Sequence, residues 1–196
     1  MILKEVNQAS RSISDELSAA MRGNSAFSTK ESAQRYVEKD WGGRMCLGQY
    51  SYIWNYGSTL DSDNSDYSNR NKYASDNTAG NNEISLVKAP DAGGIYCVRG
   101  ATDELYPDVD PEGAVELLRS GDHSLAVHSL AIEASSTDAL SSQQLYRISF
   151  TLGTNRLTAM TDDQSACKPP GEPNSDLNYC VVQQFTLVIR VVSGVN

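Results

Sequence analysis

Ile2-Leu3-Lys4-Glu5-Val6-Asn7-Gln8-Ala9-Ser10-Arg11-Ser12-Ile13-Ser14-Asp15-Glu16-Leu17-Ser18-Ala19-Ala20-Met21-Arg22 is the stretch on which the fold turns. Ile2, Val6, Ala9, Ile13, Leu17 and Ala20-Met21 recur every three to four residues, with polar side chains between them. That period predicts an α-helix with one narrow apolar stripe. Arg22 puts a cation in the last turn, and Gly23-Asn24 supplies a left-handed stop. No N-cap precedes Ile2, and the stripe runs to the first residues. The expectation is a helix that continues upstream and whose N-terminal turns stand clear of the domain. An isolated helix of this length is marginal in water, so the face carrying Val6, Ile13, Leu17 and Met21 needs a surface to pack on.

The rest of the chain supplies strands. Met45–Trp54 is aromatic-rich and partly alternating and reads as one strand. Further strands are expected at Glu83–Lys88, Gly94–Arg99, His123–Glu133, Leu145–Leu152 and Cys180–Val192. In Leu145–Leu152, Tyr146, Ile148, Phe150 and Leu152 fall on one face. In the last strand Phe185, Leu187, Ile189 and Val191 do the same. Residues 29–39 read equally as a helical turn or a polar strand. Asp110-Pro111-Glu112 has the signature of a helix start, predicting a short helix over 110–119. The class is α+β: an N-terminal amphipathic helix (1–24) packed on an antiparallel sheet (25–196) with long loops.

Residues 55–82 hold Ser, Asn, Asp, Gly, Thr and Tyr, with Leu60 the only large aliphatic side chain. Such a segment cannot order itself by packing alone. The expectation is an exposed loop, dispensable for folding, in which Tyr56, Tyr67 and Tyr73 serve as adaptable partner contacts. Asp61, Asp63 and Asp66 place hard oxygens at the alternate spacing of calcium loops. The sixth position lacks Gly and the twelfth is Lys72, so the plain reading is solvated loop acid, as it is for Asp103, Glu104, Asp108 and Asp110. No cofactor other than this candidate calcium is implied.

Sixteen Lys and Arg against 25 Asp and Glu give a formal net charge of −9. That argues against nucleic acid, whose phosphates need a basic face, and against anionic lipid. Catalytic signatures are missing: no G-x-S-x-G, H-E-x-x-H, P-loop or dinucleotide-binding glycine pattern. His123 and His128 would face opposite sides of a regular strand. No enzymatic role is expected. The four cysteines, Cys46, Cys97, Cys167 and Cys180, include no C-x-x-C. Their Tyr- and Pro-rich flanks point to disulfides and an exported protein. Three connectivities exist. Proximity favours Cys167 with Cys180, closing the Pro-rich 167–180 loop, which leaves Cys46 with Cys97.

One helix, then antiparallel strands, then a cysteine-closed loop before the last strand resembles the type IV pilin family and its secretion-system pseudopilins. Val6 through Arg22 looks like the polar half of a pilin helix. Cys167-Lys168-Pro169-Pro170 through Asn178-Tyr179-Cys180 looks like the family's cysteine-bracketed region. The resemblance implies a structural subunit, of minor-pilin type, in an extracellular cell-surface filament, with other pilin subunits as partners. It also implies an apolar helix half upstream of Ile2, which would anchor the subunit in the inner membrane before assembly. Glu5, flanked by Lys4 and Asn7 on a polar face, does not match the family's assembly glutamate, which sits within the apolar run. A type II secretion pseudopilin and a secreted calcium-dependent binding module are the rival expectations.

Overall fold

The computed structural model describes residues 2–24, 35–60, 70–74, 83–100, 105–118, 125–135 and 143–192. Helix α1 spans Ile2–Arg22. Eight strands follow: β1 (Tyr36–Lys39), β2 (Gly42–Leu47), β3 (Tyr50–Asn55), β4 (Leu86–Pro90), β5 (Val115–Leu118), β6 (Leu125–Ala134), β7 (Gln143–Thr154) and β8 (Val182–Val192). They form two antiparallel sheets, not one: five strands in the order β1-β2-β3-β4-β5, and three in the order β6-β7-β8. Among the described residues a parallel bridge between Tyr56 and Val127 links them.

One core lies under both sheets. Val6, Ile13, Leu17 and Met21 of α1 meet Tyr52, Trp54 and Leu86 of the first sheet and Tyr146, Ile148, Phe150 and Ile189 of the second. The stripe is buried from its first turns: Val6 is 0% exposed. Leu3, 52% exposed, lies on the outward side while Ile2 packs against the core, so the expectation of N-terminal turns standing clear is corrected. Ser10 joins the buried stripe because its hydroxyl donates to the Asn7 carbonyl at 2.9 Å, hiding its polarity within the helix. Gly23 does not adopt a left-handed conformation. The Asn24 side chain ends the helix instead, its Nδ2 donating to the Ala20 carbonyl at 2.7 Å.

Other expectations shift. Met45–Trp54 is not one strand, because Gly48, at φ 60, turns the chain and makes β2 and β3 a hairpin. Gly94–Arg99 is not a strand. It holds a 3-10 turn at Ile95–Cys97, pinned when the Asp91 carboxylate accepts from the Ile95 and Tyr96 amides at 2.8 and 3.2 Å. The helix expected over 110–119 is absent from the described part of that range. Asp110 Oδ1 accepts from the Glu112 amide at 2.8 Å, closing a turn that feeds β5. The cysteines pair as proximity favoured: Cys46–Cys97 and Cys167–Cys180.

Candidate functional site

Two surfaces offer contact. The first is the outward side of α1. Leu3, Lys4, Gln8 and Arg11 are exposed there and Asn7 is half-buried, opposite the buried stripe. The rotational setting of α1 is fixed from the first sheet. Lys88 Nζ and the Tyr52 hydroxyl both donate to Glu16 Oε1, each at 2.6 Å. The Lys88 bond, then the Tyr52 bond, hold the Glu16 carboxyl below its ordinary range. No described helix is long and apolar enough to cross a membrane.

The second surface is the outer face of the first sheet, covered by irregular chain. Arg44, on β2, is 2% exposed. Its Nε donates to Asn71 Oδ1 at 2.6 Å, and its Nη1 donates to the Tyr96 and Pro107 carbonyls at 2.9 and 2.8 Å. The Tyr106 ring lies 5.1 Å from the guanidinium. Burial lowers the Arg44 pKa to about 10, so the group stays charged at neutral pH. Asn71 is equally used: its Nδ2 donates to the Gly43 and Trp54 carbonyls at 3.2 and 2.8 Å, and its amide donates to Asn55 Oδ1 at 2.9 Å. Cys46, Ile53, Tyr73, Ile84, Val87, Tyr96, Cys97 and Val109 form an apolar cluster under this roof.

At the described positions, 55–60 and 70–74, this corrects the reading of 55–82 as an exposed loop; the rest of the range, and with it the expectation that the loop is dispensable for folding, lies outside the described residues. Thr59, Leu60, Asn71 and Tyr73 are buried, because backbone amides and asparagines do the anchoring that aliphatic side chains do elsewhere. Tyr73 is 5% exposed, and burial, then Glu116, push its hydroxyl up to about 12. The Tyr56 hydroxyl donates to Glu38 Oε1 and the Leu130 carbonyl, each at 3.4 Å. Burial, then Glu38, push it up to about 12 as well. Neither tyrosine is a free contact residue. Tyr67, Asp61, Asp63 and Asp66 lie outside the described residues, as do His123, Asp103 and Glu104. Among the described residues no three metal-ligating side chains gather.

His128 is no surface histidine. The β6–β7 register shifts between Val127 and Ser129, and this bulge turns the ring into a slot between Gly57 and Gly153. A Cβ on Gly57 would lie 2.8 Å from the ring, and one on Gly153 would lie 3.0 Å away. Nε2 is 3.2 Å from the Thr154 carbonyl and Nδ1 is 3.3 Å from Gln164 Oε1. Burial holds the imidazole pKa below its ordinary value, against those two contacts.

Arg44 and Asn71 escaped the sequence reading. One signal was available: Arg44 shares strand parity with Cys46, so the face that the disulfide covers also takes the arginine. The Asn71 partners are backbone carbonyls, which carry no sequence signature. No family model matches this chain, and neither does any curated protein or solved structure.

Proposed function

We propose that this chain is the head of a pilin-like filament subunit, exported and displayed at the cell surface, whose work is assembly and contact, not chemistry. The observation that supports the reading is the division of α1. One stripe is buried across both antiparallel sheets, while Leu3, Lys4, Gln8 and Arg11 are exposed. In a pilin-like subunit the buried stripe would hold the head, and the open side would face neighbouring helices. The inner membrane would anchor the subunit, before assembly, through an apolar helix half upstream of Ile2.

Two substitutions in the natural full-length product separate these roles. Leu17→Ala should destabilise the head by ~2–5 kcal/mol, read as the denaturant midpoint. Leu3→Asp should leave that midpoint unchanged and reduce recovery of the subunit in sheared surface filaments, measured by quantitative mass spectrometry. Absence of the wild-type chain from such filaments, or equal recovery of Leu3→Asp, would reject the reading.

A further inference from the structure

Edge strands expose unpaired backbone groups, and folds blunt them with short length, charge, proline or bulges. Three of the four sheet edges here are blunted. The β1 edge has four residues, with Glu38 and Lys39 among them. The β5 edge has four, with Glu116 inside and a register shift against β4. The β6 edge carries the His128 bulge and is partly covered by the Tyr56 bridge. The β8 edge has none of these; α1 packs on β8 over the face on which Ile189 and Val191 are buried. The strand runs eleven residues, Val-Gln-Gln-Phe-Thr-Leu-Val-Ile-Arg-Val-Val, with one charged side chain and no proline. Its register against β7 is unbroken from Gln143↔Val192 to Gly153↔Val182. Among the described residues no strand pairs with its outer edge.

The side chains of β8 are unfinished in the same place. On the helix side Ile189 and Val191 are buried, each 1% exposed. Phe185 and Leu187, on the same face, are only half-buried against the core. On the other face Val188 is 62% exposed.

We infer that the outer edge of β8 pairs antiparallel with the β8 edge of a second copy, about a two-fold axis at Thr186, giving a continuous six-stranded sheet. In that register Phe185 of each copy lies beside Leu187 of the other, on the helix-side face, and closes the half-covered apolar patch. Thr186 meets Thr186, and Gln184 meets Val188. The lone charge, Arg190, falls opposite Val182. The two arginines are then eight residues apart along the strands, roughly 27 Å at ~3.4 Å per residue. That is beyond the ~8 Å Debye length at physiological salt, so the self-pairing meets no like-charge clash within the strand. A self-paired edge also has no need of the gatekeepers that the other three edges carry. The formal net charge of −9 on each copy opposes association at long range, so the dimer should strengthen as salt screens it. The inference does not depend on the filament reading.

Sedimentation of the intact chain over a concentration series tests it. A reversible monomer–dimer equilibrium is expected, favoured by added salt. Thr186→Lys sets two ammonium groups against each other on the axis. It should weaken the dimer at least about tenfold while the thermal midpoint of the dilute monomer holds. Thr186→Cys should give a cross-linked dimer under mild oxidation, whereas Arg147→Cys, exposed on the central strand of the same sheet, should not. A chain that stays monomeric to millimolar concentration, association indifferent to Thr186→Lys, or equal cross-linking at both cysteines would overturn the assignment.

Discussion

The outer faces of the two sheets are finished in opposite ways. Over β1–β5 the chain lays a roof of irregular segments, tied down by Arg44, Asn55, Asn71, Asp91 and the Cys46–Cys97 bond. Over β6–β8 no described segment forms such a roof. Small hydroxyl side chains occupy that face, Ser129 Oγ donating to Thr151 Oγ1 at 2.9 Å and Ser149 lying 3.3 Å from Thr186. The first arrangement buries a charge and several amides, so it holds only if every polar atom is matched. The second asks nothing of buried polar groups, and its stability comes from the shared core on the other face. A mutation should therefore act very differently depending on which outer face it touches.

The largest effect is expected at Arg44. Arg44→Met removes the donor to Asn71 and to the Tyr96 and Pro107 carbonyls, leaving buried acceptors unmatched. Each unmatched acceptor should cost ~1–3 kcal/mol. Arg44→Lys should recover little of it, since a point ammonium cannot reproduce the planar fork. Hydrogen exchange should rise at 70–74 and 105–109 while β6–β8 keep their protection. Uniform loosening of both sheets would erase the distinction drawn here.

A smaller effect is expected at the joint between the sheets. The folded state holds the His128 pKa below 6.5, chiefly through burial, so it binds fewer protons than the unfolded state. Stability is therefore at its full value above pH 6.5 and declines as pH falls from there through the folded value. No described element brings a charged side chain to the ring. Asp163, beside Gln164, is turned to Thr161 and Ser165. Glu16, held below 4.5, keeps its full contribution until pH falls below 4.5, so the decline that begins at pH 6.5 is not its own. A His128→Gln variant should flatten the thermal midpoint against pH as pH falls from 6.5. An unchanged slope would place the titrating group elsewhere.

The smallest effect is expected on the bare face. Ser129→Ala deletes an exposed hydroxyl bond and should change stability by less than about 0.5 kcal/mol, measured in the same denaturant series. A cost above 1 kcal/mol, on the order of a buried bond, would mean that this face is covered after all.

The contrast also explains what could be read from the sequence. Strand β7 was legible because Tyr146, Ile148, Phe150 and Leu152 alternate against polar residues, and α1 because its stripe keeps one period. Both draw their order from apolar burial, which leaves a pattern. The described part of 55–82 reads as exposed loop because its order comes from Asn55 and Asn71 bonding to backbone groups far away in sequence. Composition rules count aliphatic side chains and miss such anchors. The turn at Asp110 was misread for a related reason: an Asp-Pro start serves a turn as well as a helix, and only the β4–β5 pairing decides between them. As for the candidate site, the Leu17 face of α1 was visible, whereas Tyr56 and Tyr73 looked available and are committed internally.

The buried stripe of α1 has a mechanical meaning as well. Val6 to Met21 spans roughly 22 Å of helix axis at ~1.5 Å per residue, and five side chains sit in the core along that length. A pull along the axis must drag all five from their sockets together, in shear, whereas a pull across the axis can peel them one at a time. Glu16, clasped by Lys88 and Tyr52, acts as a key against rolling, so a twist on the helix is passed to the first sheet instead of being lost as rotation. Tension along α1 is thereby shared between both sheets at once.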